Sequence, residues 1–129
     1  MSTYPADLRY TKDHEWAKVA DNAITVGITA FAVEQLGDIT LVTIDAKVGD
    51  EVTEGKAFGT IESVKTLSDL FAPVSGKITK INTDLDSKPE LINDDCYGKG
   101  WIIEIEVGNT GALTALLAEP AYVELVKAQ

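Results

Sequence analysis

The sequence has few residues that carry covalent or metal chemistry: one cysteine, Cys96, and one histidine, His14, among 129 residues. A single cysteine cannot form an internal disulfide, and we expect Cys96 to be inert. No serine or cysteine nucleophile accompanies His14 in a recognisable motif, which argues against nucleophilic catalysis. Two adjacent acids, Asp94 and Asp95, do not make a metal site, so we expect a solvated turn there and no bound metal.

Long apolar runs and positive charge are also scarce. No apolar run approaches the length of a membrane span. The first ten residues show neither the apolar core of a secretory signal nor the Arg-rich pattern of a transit peptide. Eleven basic residues against 21 acidic ones give a net charge of −10, which opposes binding to nucleic acid and to anionic membranes. We therefore expect a cytoplasmic, bacterial-type protein whose partners are other proteins.

Short β-branched and aromatic runs, separated by turn residues, make up most of the chain and indicate strands. Beyond a central pair within residues 55–76, strands are predicted over 23–29, 39–44, 76–81 and 101–107. Thr29 suits a helix N-cap, so a short helix is predicted over 30–36 that ends at Gly37. We expect one mostly β domain over 1–129, a barrel-sandwich hybrid of short antiparallel strands with its core at about 8–107.

The sequence also predicts the structure of three regions outside the regular strands. Near the N-terminus, the residues predicted to face the core are Tyr10, Trp16 and Val19. The stretch 82–100 is predicted to be irregular, with three apolar points that hold it to the core: Leu85, Leu91 and Ile92. Leucine spacing predicts helical pieces at 111–117 and 121–126 on either side of Pro120, and so a helical C-terminal segment at about 111–127.

Residues 55–76 have the most regular pattern in the sequence, because two apolar runs flank Lys65 almost symmetrically. Gly55 lies ten residues before Lys65, and Gly76 lies eleven residues after it. The polar break at 62–68 predicts that the chain reverses there, which would place Lys65 at an exposed hairpin tip. This is how a protein would present an amine to another enzyme.

This layout resembles the biotinyl/lipoyl carrier family, in which a lysine at a hairpin tip is loaded with a cofactor. The segment ESVKTLSDLFAPVSG (62–76) closely resembles the lipoylation segment of the glycine cleavage system H-protein family. Further words of that family occur in the same order: KDHEW (12–16), VGIT (26–29), LGDI (36–39), YGKGW (97–101), and LTALL (113–117) followed by AY (121–122). The resemblance covers residues 8–126 and implies a lipoyl-domain-like fold.

The resemblance implies a carrier and not an enzyme. Lys65 would hold lipoic acid as an N6-amide, attached by a lipoate ligase or an octanoyltransferase. The lipoyl group on Lys65 would form a flexible arm. Glycine decarboxylase (the P-protein) would load the aminomethyl group of glycine onto this arm, and aminomethyltransferase (the T-protein) would pass the one-carbon unit to tetrahydrofolate. Dihydrolipoamide dehydrogenase (the L-protein) would then reoxidise the dithiol. A carrier that visits several enzymes is best served as a monomer.

Two sets of neighbours have candidate roles. Residues that the lipoylating enzyme would recognise are Glu62, Ser63 and Val64, although Glu62 also reads as a solvated hairpin charge. A cleft that shelters a cationic amine on the arm would benefit from a nearby carboxylate, and the candidates for it are His14, Glu15 and Asp69. The competing interpretation is that His14 and Glu15 only position the buried Trp16.

Other functions of the same fold are weighed against the residues at Lys65. A biotin carrier has Met on both sides of its lysine, whereas here Val64 and Thr66 flank it. The lipoyl domain of a 2-oxoacid dehydrogenase resembles Asp-Lys-Ala at the lysine and carries flexible linkers, and both are missing. A non-modified interaction domain would be expected to lose Lys65 or Glu62. A lipoyl carrier that relays lipoyl groups to another assembly stays open as an alternative.

Overall fold

The computed structural model describes residues 4–20, 22–107 and 116–128. These residues form nine strands: β1 (Arg9–Tyr10), β2 (Glu15–Ala20), β3 (Ala23–Ile28), β4 (Ile39–Ile44), β5 (Glu51–Val52), β6 (Ala57–Ser63), β7 (Leu67–Phe71), β8 (Gly76–Ile81) and β9 (Ile103–Glu106). They also form four helices: α1 (Ala30–Leu36), α2 (Asp84–Ser87), α3 (Leu91–Asp94) and α4 (Glu119–Lys127).

The strands make two antiparallel sheets. The larger sheet has six strands in the order β1-β2-β3-β9-β8-β5, and the smaller has three in the order β4-β6-β7. Most of the buried side chains belong to one apolar cluster, to which strands of both sheets contribute. Within the described residues the sheets do not close into a barrel. The predicted mostly β sandwich of short antiparallel strands is confirmed, including its internal helix and its C-terminal helix.

Helix α1 begins and ends where its sequence predicts. The Thr29 side chain accepts a hydrogen bond from the Ala32 amide at 3.3 Å, which satisfies one of the free N–H groups of the first turn. Gly37 ends the helix with φ 78°, and its N–H donates to the Val33 carbonyl. The short helix therefore follows from local signals alone.

A second, smaller cluster is aromatic and joins the N-terminal strands to α4. Its buried members are Leu8, Tyr10, Trp16 and Tyr122. The Trp16 ring lies directly over Gly27 of β3, where an added β-carbon would come within 2.5 Å of the ring. This contact explains why a glycine interrupts an otherwise β-branched strand.

Two sequence expectations in the body of the domain are wrong. Val19 is not part of the core: it is 44% exposed, although its partner on β3, Ile24, is fully buried. Residues 82–100 are not irregular throughout, since they contain α2 and α3. The three apolar points do hold this stretch to the core, with Leu85 and Ile92 buried and Leu91 packed against the cluster.

The ends of the last predicted elements also differ. The final strand is shorter than predicted and runs only over Ile103–Glu106. Pro120 lies inside the first turn of α4, where its missing N–H has no helical role, and so it does not separate two helices. Leu116 and Leu117 are not helical; Leu117 instead pairs with Tyr10 through two backbone hydrogen bonds of 2.8 Å. The rest of the predicted helix, 111–115, lies outside the described residues.

Candidate functional site

Lys65 lies at the tip of the β6–β7 hairpin. The two strands stay paired as far as Glu62 and Leu67, so the chain reverses over residues 63–66, a tighter turn than the predicted 62–68. The Ser63 hydroxyl accepts hydrogen bonds from the amides of Lys65 and Thr66, both at 3.2 Å. The Ser63 amide donates to the Thr66 carbonyl at 2.9 Å. Ser63 therefore fixes the turn that presents the lysine.

The tip is also tied to the turn between α1 and β4. The Val64 amide donates to the Asp38 carbonyl at 3.0 Å. The Asn93 side chain of α3 bonds to both sides of the same turn. Its Nδ2 donates to the Gly37 carbonyl and its Oδ1 accepts from the Ile39 amide, each at 2.9 Å. Sequence reasoning missed Asn93, which lies in the stretch predicted to be irregular.

The Lys65 side chain runs across Gly37. A β-carbon built on Gly37 would lie 3.3 Å from Lys65 Cε and 3.8 Å from its Nζ. Gly37 thus has two roles, because it ends α1 with a positive φ and leaves room for the lysine. Only the first role could be predicted from the sequence.

Exposed apolar side chains surround the tip. Val64 is 67% exposed, Leu67 60% and Leu41 46%. In the three-stranded sheet, Leu41 of β4, Glu62 of β6 and Leu67 of β7 lie directly opposite one another, so their side chains share one face. We call these three residues the leucine row. It is the last row before the tip in which all three strands are paired.

A cleft of about 300 Å³ lies beside the tip, between β7, α1 and the start of β2. Its apolar lining residues are Ile28, Ala32, Leu36, Ile61, Leu67 and Leu70. The three residues proposed from the sequence for a sheltering cleft all line it: His14, Glu15 and Asp69. Asp13, which sequence reasoning did not select, lines it too, as does Thr66, the residue after the lysine. We call this the arm cleft.

Glu15 is buried in the wall of the arm cleft, with 2% of its surface exposed. One carboxylate oxygen accepts from the Phe71 amide at 2.7 Å, and the other accepts from the Thr11 hydroxyl at 3.2 Å. Burial raises the pKa of Glu15 to about 8, and the nearby charge of Asp13 adds to that shift, while the Phe71 and Thr11 hydrogen bonds act against it. Burial therefore favours the protonated form of Glu15, whereas a neighbouring cation would favour the carboxylate.

His14 is the only non-glycine residue with positive φ in the described part of the chain, at 68°. Its Nδ1 lies 2.8 Å from the Tyr122 hydroxyl, and its ring contacts Phe31 with the ring centres 4.5 Å apart. His14 and Glu15 directly precede the buried Trp16 in sequence, and both also line the arm cleft, so their position is compatible with either interpretation.

Cys96 and the potential metal ligands are the other groups for which the sequence supports an expectation. Burial raises the pKa of the Cys96 thiol to about 11, which disfavours the reactive thiolate. In residues 4–20, 22–107 and 116–128, no group of three or more His, Cys, Asp or Glu side chains is placed to hold a metal ion. No helix among those residues is long and apolar enough to cross a membrane.

A two-sheet domain that holds one exposed lysine at a hairpin tip is typical of the biotinyl/lipoyl carrier class. The sequence profile of the glycine cleavage H-protein family matches residues 8–129. The chain therefore belongs to the glycine cleavage H-protein family, and the resemblance given by its sequence words is confirmed. Within that family its role is that of a lipoyl carrier in the glycine cleavage system.

Individual relatives agree over nearly the whole chain. The glycine cleavage system H protein of Symbiobacterium thermophilum is 51% identical over 122 residues, which cover 95% of this chain and 94% of the relative. That of Carboxydothermus hydrogenoformans is 46% identical over 127 residues, with 98% and 97% covered. A crystal structure of a glycine cleavage system H protein from Mycobacterium marinum superposes with a TM-score of 0.85 at 39% identity, covering 96% of this chain and 99% of that one.

Proposed function

We propose that Lys65 carries lipoate as an amide on Nζ and that the chain takes the aminomethyl group of glycine from glycine decarboxylase to aminomethyltransferase, then presents the dithiol to dihydrolipoamide dehydrogenase. The observation that carries this proposal is the presentation of Lys65, which lies exposed on a turn fixed by Ser63 and tied to Asp38. Lipoate, once attached, supplies the dithiol–disulfide chemistry, while the protein supplies aim and recognition.

The residues beside Lys65 fit such an arm. The arm cleft begins at Thr66, next to the lysine, and its size of about 300 Å³ is within the range of small-molecule sites. Its apolar side chains suit an alkyl chain and a dithiolane ring, whereas Glu15 and Asp69 suit a cationic amine. Carboxylates and apolar surface therefore occur together where a loaded arm needs both.

Glu15 is the residue that would respond most strongly to a cationic amine. Its carboxyl group is buried, and burial raises its pKa because it disfavours the charged form. A cation beside it favours the carboxylate, so the Glu15 carboxyl would release its proton as the amine enters. Asp69 lies on the edge strand β7 and is exposed, so it would meet the amine at the mouth of the cleft.

The lipoylating enzyme, a ligase or an octanoyltransferase, must cover the hairpin tip because the amide bond forms at Nζ itself. Glu62, Ser63 and Val64 are the residues that we propose it contacts, and the two leucines of the leucine row extend that surface. Ser63 would contribute through the shape of the turn, since its hydroxyl is engaged with the amides of Lys65 and Thr66.

We further propose that the chain has no active site of its own and acts as a monomer. A separate carrier can present the same hairpin to each enzyme in turn, and docking raises the local concentration of the arm to the millimolar range. A cytoplasmic location suits both the free thiol of Cys96 and a dithiol cofactor, because reducing compartments keep thiols reduced.

Reconstitution with the three partner enzymes tests this function. Lys65→Arg keeps the positive charge but removes the acylable amine, so we expect no arm loading and no glycine cleavage, with an unchanged fold. Lys56→Arg, at another exposed lysine, is the matched control and should be fully active. Glycine cleavage by the Lys65→Arg protein would contradict the proposal.

A further inference from the structure

One wall of the arm cleft depends on a backbone conformation that has to be held in place. His14 has φ 68°, a left-handed conformation that an L-residue adopts only at a cost. Its backbone is fixed on both sides, because its amide donates to the Thr11 carbonyl at 3.1 Å and its carbonyl accepts from the Thr29 amide at 3.0 Å. The neighbours Asp13 and Glu15 also line the cleft, so the placement of His14 sets the position of this wall.

The His14 side chain is held from the far end of the sequence. Tyr122 of α4 lies 108 residues away, is fully buried and stacks on Tyr10 with ring centres 4.7 Å apart. Its hydroxyl is 2.8 Å from His14 Nδ1 and 2.7 Å from the Thr29 hydroxyl. The Thr29 hydroxyl in turn caps α1 by accepting from the Ala32 amide. A single phenol group thus connects α4, α1 and the cleft wall.

We propose that Tyr122 is a positioning residue for the arm cleft, whose hydroxyl fixes the ring and the tautomer of His14. The distances allow either direction of donation, and in the arrangement that we propose Thr29 donates to the Tyr122 oxygen and Tyr122 donates to His14 Nδ1. His14 is then neutral, with its proton on Nε2. Burial raises the pKa of Tyr122 well above its usual range, so the phenol keeps the hydrogen that this arrangement needs.

The position of the His14 wall matters because water has to be kept from an aminomethyl group on the arm. Lipoate on Lys65 would supply the sulfur that carries this group, and water reaching it would release the free thiol, formaldehyde and ammonium. The cleft would slow that loss, and a loosened His14 wall would slow it less. This consequence rests on the proposed function, whereas the bond between Tyr122 and His14 does not.

The test compares Tyr122→Phe with Tyr10→Phe. Both changes remove the hydroxyl of a buried, stacked tyrosine in the same cluster, but the Tyr10 hydroxyl donates to the Pro5 carbonyl and makes no bond to the cleft wall. His14 is the only histidine, so nitrogen-15 NMR of the unloaded protein gives a single imidazole spectrum. We expect the Nε2–H tautomer in the parent and in Tyr10→Phe, and a mixture of tautomers in Tyr122→Phe.

The second measurement is the decay of the aminomethyl-loaded carrier without partner enzymes. Tyr122→Phe should decay about fivefold faster than the parent, the effect of one ordinary hydrogen bond, and Tyr10→Phe at the parental rate. His14→Asn, which tolerates a positive φ, should decay as fast as Tyr122→Phe, and the double variant no faster than either.

An unchanged decay rate in Tyr122→Phe, or an equal acceleration in Tyr10→Phe, would overturn the proposal. An unchanged His14 tautomer in Tyr122→Phe would do so as well, even in protein that cannot be lipoylated. Failure of the proposed function is distinguishable, because it would appear as an absence of loading at Lys65 in every variant, including the parent.

Discussion

Lys65 and Gly37 are in contact at the point where the hairpin tip meets the end of α1. A β-carbon on Gly37 would lie 3.3 Å from Lys65 Cε, close enough that the lysine would have to move by a few tenths of an ångström. Gly37 also has φ 78° and ψ −148°, a conformation that is almost restricted to glycine. Gly37 therefore contacts the lysine at a position where other residue types are disfavoured.

Gly37→Ala should show this contact directly when it is compared with Gly55→Ala. Gly55 also has a positive φ, 81°, but nothing lies within 4 Å of its β position. We expect each change to lower the free energy of unfolding by roughly 1–3 kcal/mol, because both force alanine into an unfavourable backbone conformation. Only Gly37→Ala should shift the NMR signals of the Lys65 ε-methylene. Unshifted Lys65 signals in Gly37→Ala would show that the contact is absent in solution.

Asn93→Leu should loosen the hairpin tip. The change leaves the Gly37 carbonyl and the Ile39 amide without their partner, which should cost roughly 1–3 kcal/mol for each group that stays buried. The turn at residues 37–39, whose Asp38 carbonyl accepts from the Val64 amide, then loses its two hydrogen bonds to Asn93. The Val64 amide should therefore exchange its hydrogen faster than the loss of global stability alone would explain. Hydrogen exchange followed by NMR measures the effect.

The control for Asn93 is Asn82→Leu. Asn82 donates to the carbonyls of Lys99 and Trp101, so its loss removes comparable hydrogen bonds away from the tip. Exchange at Val64 should then change only in proportion to global stability. Equal exchange rates of the Val64 amide in the two variants, at matched stability, would show that Asn93 has no special role at the tip.

Glu15 should make the protein less stable as the pH rises. Its pKa is about 8 in the folded protein against 4.5 for an ordinary glutamate, so the folded state binds the proton more tightly than the unfolded chain does. The stability from this proton is complete below pH 4.5 and is lost as the pH rises toward 8.

Glu15→Gln isolates the effect from the other carboxyl groups. Between pH 5 and pH 8 the parent should lose on the order of 3 kcal/mol more unfolding free energy than the variant, at about 1.4 kcal/mol for each unit of pKa difference. Urea unfolding at several pH values gives this difference. Parallel stability–pH curves for the two proteins would mean that Glu15 is ionised throughout this range.

Leu41→Ser should slow lipoylation although Leu41 lies on β4, outside the β6–β7 hairpin that carries Lys65. It is exposed and lies opposite Glu62 in the leucine row, so the change should leave stability nearly unaltered while removing apolar surface from the proposed docking face. We expect kcat/KM of the lipoylating enzyme to fall by roughly three- to tenfold, which corresponds to about 1 kcal/mol. Val48→Ser, at a 61% exposed valine between β4 and β5, should react normally. Equal rates for both variants would remove Leu41 from the docking face.

The sequence predicted those features that depend on neighbouring residues. Helix α1 follows from Thr29 and Gly37 at its two ends, and the hairpin follows from the apolar runs around Lys65. The arm cleft was predicted only as a set of candidates, which the fold then brought together. The contacts of Asn93 with Gly37 and of Tyr122 with His14 join distant parts of the chain, and no local pattern marks them. Asp13 was missed although it directly precedes His14, because only the folded structure shows that it lines the cleft.

The intact mass of the protein after incubation with lipoate, ATP and a lipoate ligase, followed by peptide mapping, tests directly whether Lys65 is the lipoylated residue. We expect one lipoyl group, confined to Lys65, in the parent and in Lys56→Arg, and none in Lys65→Arg. A folded protein that takes up no lipoyl group, or takes it up at another lysine, would show that Lys65 is not the carrier residue. A biotin adduct from a parallel reaction with a biotin ligase would show that the carrier class is right and the cofactor is wrong.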